Sequence, residues 1–478
     1  MYPPCTPRAA TWATTTSRHS RGGFLLRRET RIDAGELPDV AQAGATHALR
    51  VGLTRVATAA PASTAKVPTR PSLERRRRPL WLLAIGPGLM VMLADTDAGS
   101  IITAGQSGAR WGYRLLLVEL LLIPVLYLVM ELTARIGLAT GKGHAQLIRE
   151  QFGRPWALVS VGALLVSVSG ALVSEFAGIA GVGRLYGIPA GVTVPAAAVF
   201  LLAIVCSGSY RRVELIGIGL GLFELAFLAA ALLARPGLHS LAGGITGSQP
   251  FGNGSYLALV AANVGAVVMP WMIFYQQGAV LDKRLTLRDL RGARIDTAVG
   301  AVLTQLVMIA VLVTTATAVH GRHGSLKTVG QLAGAFTGLL GGTTGRLVLA
   351  LGISGAALLA SVVVSLAAAW AVAEVAGSDR SLNERPRQAP LFYGLYAAAI
   401  TLGATLVLTS HSLVRLAIQV EILNALLLPL ALGFLVLLAF RVLPREHAPG
   451  RTRRLALGLA AGTLITIALL WVAVALGL

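Results

Sequence analysis

The chain has few charged residues and few cysteines for its length. Asp, Glu, Lys and Arg make up only 13% of its 478 residues, whereas 55% are apolar, and the mean hydropathy is +0.71. Many apolar runs approach the roughly 20 residues that cross a bilayer. The two cysteines, Cys5 and Cys206, are too far apart to indicate a disulfide framework or a CxxC metal site. The composition therefore predicts an integral membrane protein.

Acidic residues are also scarce, and the formal net charge is +20. The basic excess lies in an N-terminal tail, 1–79, and in loops between apolar runs, which fits the positive-inside rule better than a nucleic-acid surface. The tail ends in Arg75–Arg78 and contains no apolar stretch long enough for a signal peptide or a span. We expect it to be disordered. A regulatory tail, a transit-like peptide and an upstream start without structural role are three interpretations, of which the last is favoured.

Eleven apolar segments predict one all-α transmembrane domain over residues 80–478. They are expected at Leu80–Ser107, Leu115–Ala139, Trp156–Gly181, Gly191–Ser207, Val213–Ala234, Tyr256–Gly278, Asp296–Val319, Leu347–Ala376, Leu391–Thr409, Ser412–Phe440 and Leu455–Leu476. A cytoplasmic N-terminus puts most loop arginines and lysines on the inside, which predicts a multi-pass inner-membrane protein with that orientation.

The segments divide into two halves of five, 80–234 and 256–440, followed by an extra helix at 455–476. Because five is an odd number, the second half starts from the opposite side of the membrane. This arrangement is the 5+5 inverted repeat that many secondary transporters share.

The first segment of each half is interrupted at mid-membrane depth. LMVMLADTDAGSII contains Asp95, Asp97 and Gly99, and NVGAVVMPWMIFYQQ contains Gly265 and Pro270. Non-helical backbone persists in a bilayer only where protein encloses it or where it lines a cavity. Paired broken segments are the best sequence indication of a transporter's substrate site. We therefore predict the functional site where the two breaks meet.

The residues at these breaks favour a cation. A mid-bilayer carboxylate such as Asp97 costs roughly 2.5–3.5 kcal/mol on insertion scales and needs a partner, an ion path or a substrate. We expect unwound backbone from Asp97 to Ser100, and a free Ala266 carbonyl before Pro270. Met269 adds a soft thioether to these hard oxygens, a mixture suited to Mn²⁺ or Fe²⁺. Core packing is an equal alternative for Met269.

Three stretches of the chain resemble the NRAMP family of divalent metal transporters. GPGLMVMLADTDAGSIITAGQSGARWGY and the following RIGLATGKGHAQLIREQFG resemble the family's start, and GAVVMPWMIFYQQGAVLDK resembles its sixth helix. The similarity covers most of the chain after Leu80. It implies the leucine-transporter fold with discontinuous helices 1 and 6.

Two family motifs can be matched residue by residue. The family's DPGN stands here as DAGS at 97–100, and its MPH stands as MPW at 269–271. The metal ligands that the resemblance implies are Asp97, Ser100, the Ala266 carbonyl and Met269.

The chain departs from the family at several of these positions. Ser100 replaces an Asn ligand, so that metal contact there can need a water, and Ala98 replaces a Pro. Trp271 replaces a His, and Leu172 stands where the family has an acidic residue, three positions before the retained Glu175. The family associates these last positions with proton movement, so proton coupling stays open.

A further carboxylate bears on selectivity. In the tenth segment Glu421 stands where the family has a Gln ligand, with Gln419 two residues earlier as a candidate proton or vestibule group. A carboxylate opposite Asp97 favours a hard, strongly hydrated dication such as Mg²⁺. The alternative is an ion pair between Glu421 and Arg415. The segments ADTDAG and PWMIFYQQ resemble the NRAMP-related magnesium transporter branch more closely than the rest of the family. That branch, however, usually lacks a Met at the position of Met269.

Other polar residues are expected to have structural roles. Asp95 is interpreted as a vestibule charge, and Glu131 is expected to pair with Arg135 one helical turn away. The basic, leucine-containing segment Lys283–Arg294 predicts an amphipathic helix on anionic lipid.

Together these patterns predict a non-enzymatic carrier that imports divalent metal by alternating access, Mn²⁺ or Fe²⁺ before Mg²⁺. The metal is its substrate, and no cofactor and no nucleic-acid partner are expected. A symporter of amino acids or other organic solutes is the alternative on the same fold, but Asp97 with Met269 disfavours it. An intramembrane aspartyl protease would need catalytic aspartates on two neighbouring helices, whereas Asp95 and Asp97 share one segment. A channel is a further alternative, and saturable uptake would separate a carrier from it.

Overall fold

A computed structural model describes residues 86–320, 326, 328–378, 381–409 and 413–475. The predicted tail, 1–79, and the beginning of the first predicted segment lie outside these residues. The helices are α1 Pro87–Asp95, α2 Ala98–Trp111, α3 Leu116–Thr140, α4 His144–Phe152, α5 Arg154–Leu185, α6 Ala190–Cys206, α7 Tyr210–Gly221, α8 Ala226–Ala234, α9 Leu238–Thr246, α10 Gly254–Val267, α11 Pro270–Asp282, α12 Leu290–Val319, α13 Val329–Leu340, α14 Gly342–Ala376, α15 Pro390–Leu408, α16 Leu413–Val442 and α17 Arg451–Ala475, with 3₁₀ turns at Leu222–Leu225 and Leu287–Asp289.

Eight helical segments in the described part of the chain are long and apolar enough to cross a membrane. They are formed by α3, α5, α7 with α8, α10 with α11, α12 with its preceding turn, α14, α15 and α16. The apolar α6 has 17 residues, and the first predicted segment is divided into α1 and α2. The prediction of membrane-spanning helices is therefore confirmed, whereas the count of eleven stays a prediction.

The two interrupted segments lie in the interior of the helical bundle. The segment of α10 and α11 is almost entirely buried, and it packs against α3, α14 and α16. Both α1 and α2 are packed on α12, and α2 also contacts α16. Outer helices such as α6, α7 and α8 expose large apolar side chains, for example Phe200, Leu215 and Leu232. This distribution keeps irregular backbone away from lipid, as a bilayer requires.

Glycines allow the inner helices to approach one another closely. An ideal Cβ at Gly265 of α10 would lie only 1.8 Å from the backbone oxygen of Glu421 on α16, and one at Gly108 of α2 would lie 2.2 Å from the Leu312 oxygen on α12. Small residues at helix interfaces are typical of membrane bundles because dispersion contacts, rather than a hydrophobic driving force, hold the helices together. The backbone of α16 therefore lies directly against α10 near its break.

The segment after α11 does not form the separate amphipathic helix that the sequence predicted, and its contact with lipid stays a prediction. Leu285, Leu287 and Leu290 pack instead on a small apolar cluster that includes Leu138 and Val280. The segment forms a 3₁₀ turn and then continues directly as α12. The apolar face is thus partly covered by protein, a possibility that the local sequence pattern does not distinguish from burial in lipid.

Candidate functional site

The first break separates α1 from α2 and is organised by Asp97. Asp97 is the N-cap of α2, with extended backbone, and its Oδ1 accepts a 2.7 Å hydrogen bond from the Ser100 backbone N–H. Asp is a favoured N-cap residue because its carboxylate satisfies an otherwise free first-turn amide. The side chain is fully buried, and its Oδ2 has no hydrogen-bond partner. One carboxylate oxygen is thus held by the start of α2, and the Asp97 carboxyl group also lies within side-chain hydrogen-bond reach of Glu175.

The unwound stretch is shorter than the sequence predicted. Only Thr96 and Asp97 lie between α1 and α2, whereas unwinding was expected to continue to Ser100. The capping bond explains the difference, because it allows the helix to begin directly after Asp97. Ser100 is therefore placed in the first helical turn and offers its hydroxyl group to the site.

The second break separates α10 from α11 and depends on Pro270. Val268 and Met269 have extended backbone between the two helices, and Pro270 is the first residue of α11. Proline has no N–H, so it cannot bond to the carbonyl four residues earlier, that of Ala266. This carbonyl is free of the helical ladder, as the sequence predicted.

A hydrogen bond joins the two breaks. The Ser100 hydroxyl donates to the Ala266 carbonyl oxygen over 3.0 Å, although the two residues are 166 positions apart in the chain. Both groups are buried. The contact brings an oxygen-rich turn of α2 against the free carbonyl of α10, and thus joins the starting helices of the two predicted halves.

Glu421 of α16 reaches the same place. An ideal Cβ at Gly99 would lie 2.3 Å from Glu421 Oε1 and 2.8 Å from the Ser174 hydroxyl, so only a glycine admits this carboxylate. Glu421 Oε1 has no hydrogen-bond partner, while Oε2 accepts a 3.1 Å bond from Asn424. Ser167 in turn donates to Asn424 over 2.6 Å. The carboxylate is oriented, and one oxygen is left available.

The neighbours of Glu421 on α16 do not take part. Glu421 is fully buried whereas Gln419 is exposed, so the two side chains lie on different faces of the helix. Arg415 is exposed as well, and the salt bridges within the described ranges do not include a pair with Glu421. The alternative ion pair is not formed.

Glu175 of α5 is the third carboxylate at the first break. Its Oε2 accepts a 3.1 Å hydrogen bond from the Ala98 backbone N–H, and its Oε1 has no partner. Two first-turn amides of α2 therefore point at acidic side chains, Asp97 and Glu175, an arrangement that the positive end of a helix stabilises. No arginine or lysine forms a hydrogen bond or salt bridge with these carboxylates in the described part of the chain.

The carboxylates alone do not form a complete metal site. Among the residues that the structure describes, no three Asp, Glu, His or Cys side chains are placed to share one ion. A dication at the breaks would therefore need oxygen or sulfur from the other donors, the Ser100 hydroxyl, the Ala266 carbonyl or Met269, or from water. The ligand set of Asp97, Ser100, Ala266, Met269 and Glu421 stays a prediction.

Met269 lies at the second break with its sulfur already engaged. Trp271 Nε1 donates to Met269 Sδ over 3.0 Å, and the Met269 backbone N–H faces the sulfur of Met272 at 3.5 Å. All three side chains are buried. The thioether therefore lies at the break, with its sulfur accepting the indole N–H of Trp271.

Asp95 and two other acids lie near the first break. Asp95 is the last residue of α1, is buried, and has an Oδ1 without a partner. The Thr96 hydroxyl donates to Glu224, and one oxygen of Glu119 is unpartnered.

The predicted pair of Glu131 with Arg135 is formed, and Glu131 also binds Arg294 at 2.7 Å.

Sequence reasoning missed several residues that shape the site. Asn424 follows Glu421 by three positions, so a helical register would have placed it on the same face. Gly99 is part of the family motif, but its contact with Glu421 depends on tertiary packing. Asp296, which accepts bonds from the Gly88 and Leu89 amides at 2.7 and 2.9 Å, gave no local signal.

Comparisons with known proteins identify the family of this chain. Residues 88–476 match the family described as Natural resistance-associated macrophage protein-like, or Nramp. The divalent metal cation transporter MntH of Verminephrobacter eiseniae (strain EF01-2) is 31% identical over 314 residues, which cover 63% of this chain and 71% of that protein. MntH of Yersinia pestis (strain Pestoides F) is 29% identical over 310 residues, covering 62% and 74%.

Solved structures share the fold. A crystal structure of the Eremococcus coleocola manganese transporter, in complex with an aromatic bis-isothiourea substituted compound, has a TM-score of 0.66 at 19% identity and covers 82% of this chain and 87% of that one. MhsT in complex with L-phenylalanine has a TM-score of 0.57 at 16% identity, covering 81% and 98%. The fold is thus the all-helical leucine-transporter type that was predicted. With a family match that extends over both interrupted segments and all helices from α2 to α16, this chain belongs to the Nramp family.

Proposed function

We propose that this protein is a secondary transporter, not an enzyme, that imports divalent metal ions across the inner membrane by alternating access. The observation that carries the proposal is the Ser100–Ala266 hydrogen bond between the two breaks, beside the unpartnered oxygens of Asp97 and Glu421. Relatives from Verminephrobacter eiseniae and Yersinia pestis are named as divalent metal cation transporters. Mn²⁺ or Fe²⁺ is the preferred cargo, and Mg²⁺ is second.

Charge is the main reason for a dication. Burying an isolated carboxylate costs several kcal/mol, a cost that a partner or an ion can offset. Asp97 and Glu421 are both fully buried, and neither has a cationic side chain as partner among the described residues. A divalent ion would neutralise both at once, and the Ala266 carbonyl and the Ser100 hydroxyl would add hard oxygens suited to Mn²⁺ or Mg²⁺.

The same contacts suggest how binding would couple to motion. The Ser100 hydroxyl donates to the Ala266 carbonyl oxygen, so an ion that binds this carbonyl would compete with that hydrogen bond. Entry of the ion would therefore rearrange the contact between α2 and α10. Because these helices belong to opposite halves of the predicted repeat, a local exchange of ligands would bias the rocking of one half against the other.

Selectivity would depend on whether Met269 turns to the ion. Thioether sulfur is soft and favours transition metals over Mg²⁺, whereas a second carboxylate, Glu421, favours a hard and strongly hydrated ion. Met269→Ala should therefore lose discrimination against Mg²⁺ while retaining transport of Mn²⁺. Unchanged exclusion of Mg²⁺ would remove the sulfur from this role.

Uptake into proteoliposomes tests the site directly. Asp97→Asn and Glu421→Gln keep the shape of each side chain and remove its charge, so Mn²⁺ uptake should fall at least about tenfold, the effect of losing one charge-assisted contact. Glu150→Gln is the matched control, because Glu150 is exposed on α4 and pairs with Lys142 at 2.5 Å. Wild-type rates in the first two variants would reject the site.

Proton coupling is tested in the same vesicles. Competition among Mn²⁺, Fe²⁺ and Mg²⁺ is measured while the internal pH is recorded. If Glu175 carries protons, Glu175→Gln should abolish metal-dependent acidification and leave metal binding in place. Acidification that persists in this variant would assign proton movement to another group.

A further inference from the structure

A polar cavity lies outside the candidate site, at the ends of helices that the sequence assigns to the cytoplasm. Its volume is about 270 Å³. The C-terminal part of α3 contributes Arg135, the first turns of α12 contribute Arg294, and the connection from α16 to α17 contributes Glu446, His447 and Arg451. We call it the basic cavity. Three of these five side chains are arginines.

Arg135 is a buried residue in the lining of the basic cavity. Its side chain is only 3% exposed, and its Nη1 donates to the His447 carbonyl oxygen over 3.1 Å. Nη2 binds Glu131, while Nε has no hydrogen-bond partner. A buried guanidinium with an unsatisfied donor is costly, and an acceptor in the cavity would reduce that cost.

The lining keeps an excess of positive charge. Glu131 binds both Arg135 and Arg294, so one carboxylate serves two guanidinium groups. Arg451 is exposed and has none of the salt bridges that the described residues form. Within the described ranges, Glu446 is the only acidic residue of the lining. The three arginines therefore exceed the two acids that lie on or beside the cavity.

The start of α17 adds backbone donors to these charges. Arg451 and Thr452 are the first two residues of this 25-residue helix, and both line the cavity. First-turn amides have no partner within their helix, and the helix dipole favours an anion at this end. Arginine forks match the geometry of phosphate oxygens.

We propose that the basic cavity binds an anionic phosphate group. At about 270 Å³ it lies just below the roughly 300–1,000 Å³ of pockets for drug-sized ligands, so a phosphate or a small headgroup fits. Basic pockets between membrane helices at the cytoplasmic face are suited to anionic lipid headgroups. The phosphate can thus come from a lipid or from solution, and both sources present the same chemistry.

Opposite changes of charge test the proposal on the full-length protein. Arg451→Gln removes one cationic contact and should weaken binding roughly tenfold. Glu446→Gln removes the acidic residue of the lining and should strengthen binding. Arg445→Gln is the matched control, because Arg445 is exposed in the same connection but does not line the cavity. It should bind like the wild type.

Two probes separate the sources. Calorimetry in detergent at constant ionic strength measures inorganic phosphate, and thermal unfolding is compared in phosphatidylcholine vesicles with and without phosphatidic acid. A response to inorganic phosphate that follows the three variants supports the site for free phosphate, and a response to phosphatidic acid alone supports it for lipid. No binding of either probe, or equal loss in Arg451→Gln and Arg445→Gln, overturns the proposal.

Discussion

At the scale of single residues, Gly99 determines how closely Glu421 approaches the first turn of α2. The distance of 2.3 Å from an ideal Cβ to Glu421 Oε1 is far below any real contact of a methyl group. A side chain at this position would have to displace the carboxylate or the helix. The glycine therefore serves packing, since α2 is helical at this position and needs no unusual backbone angle.

Gly99→Ala should consequently reduce metal uptake strongly and destabilise the protein by about 1–3 kcal/mol, the usual cost of overpacking. Gly162→Ala is a suitable control, because Gly162 lies in α5 and an added methyl group would meet nothing within 4 Å. Uptake into proteoliposomes and thermal unfolding measure the two effects. Full uptake in Gly99→Ala would show that transport does not depend on the position of the Glu421 carboxylate beside the first turn of α2.

Trp271 is the second residue whose chemistry can be isolated. Its indole N–H occupies the sulfur of Met269, which leaves the thioether a weaker donor to a metal. Trp271→Phe removes this bond, which is worth about 0.5–1.5 kcal/mol. Because a free thioether favours soft ions, the preference for a soft test ion, Cd²⁺, over Mg²⁺ in uptake should rise by roughly 2- to 10-fold.

Trp370→Phe controls for the change of ring size in the Trp271 experiment. Trp370 is equally buried, and its indole N–H has no hydrogen-bond partner. This variant should leave the ion preference unaltered. An identical shift in both variants would mean that repacking, rather than the released sulfur, changes selectivity.

At the scale of helices, α1 depends on a cap from another helix. Asp296, near the start of α12, accepts the amides of Gly88 and Leu89 at 2.7 and 2.9 Å. The residue before α1, Gly86, supplies no side-chain cap. First-turn amides that are buried without partners cost free energy, so Asp296 fixes α1 to α12 as well as satisfying them.

Asp296→Ala should therefore lower stability by roughly 1–3 kcal/mol and speed hydrogen exchange in α1, with Asp296→Asn in between because it keeps one acceptor oxygen. Asp289→Ala removes a cap from the neighbouring 3₁₀ turn, where Asp289 accepts from the Thr286 amide at 3.1 Å. This control should leave exchange in α1 unchanged. Wild-type exchange in α1 of Asp296→Ala would contradict the cap.

The two breaks could be predicted from sequence because local chemistry causes them. Pro270 cannot continue a preceding helix because it has no N–H, and Asp is among the residues favoured at an N-cap. The approach of Glu421 could not be derived in this way, since it depends on glycines in two helices that meet α16 only after folding. The family motif supplied the position of Glu421, but neither its free oxygen nor its bond to Asn424.

The same distinction applies to the segment after α11. The leucines among basic residues have the pattern of a membrane-surface helix, and a protein surface satisfies that pattern equally well. Leu285 and Leu287 pack on Val280 and Leu138, which belong to α11 and α3. Amphipathicity identifies an apolar face, whereas the partner of that face is determined by tertiary structure.

At the scale of the whole molecule, basic side chains predicted to face the cytoplasm also cap the C-termini of helices. Arg149 donates to the Val375 carbonyl at the end of α14, and Arg441 donates to the Gln151 carbonyl at the end of α4, over 3.0 and 2.9 Å. Cations are favourable at helix C-termini because of the dipole. Charge that the sequence predicts to orient the chain in the membrane therefore also stabilises helix ends.

The orientation itself can be tested by labelling single cysteines. With Cys5→Ser and Cys206→Ser as background, Arg346→Cys at the start of α14 and Arg445→Cys after α16 both introduce exposed thiols. The positive-inside rule puts position 346 outside and position 445 inside. An impermeant maleimide should therefore label Arg346→Cys in intact cells, and Arg445→Cys only after permeabilisation. The reverse pattern would invert the topology, and the basic cavity would then face away from the cytoplasmic lipids proposed as one source of its phosphate.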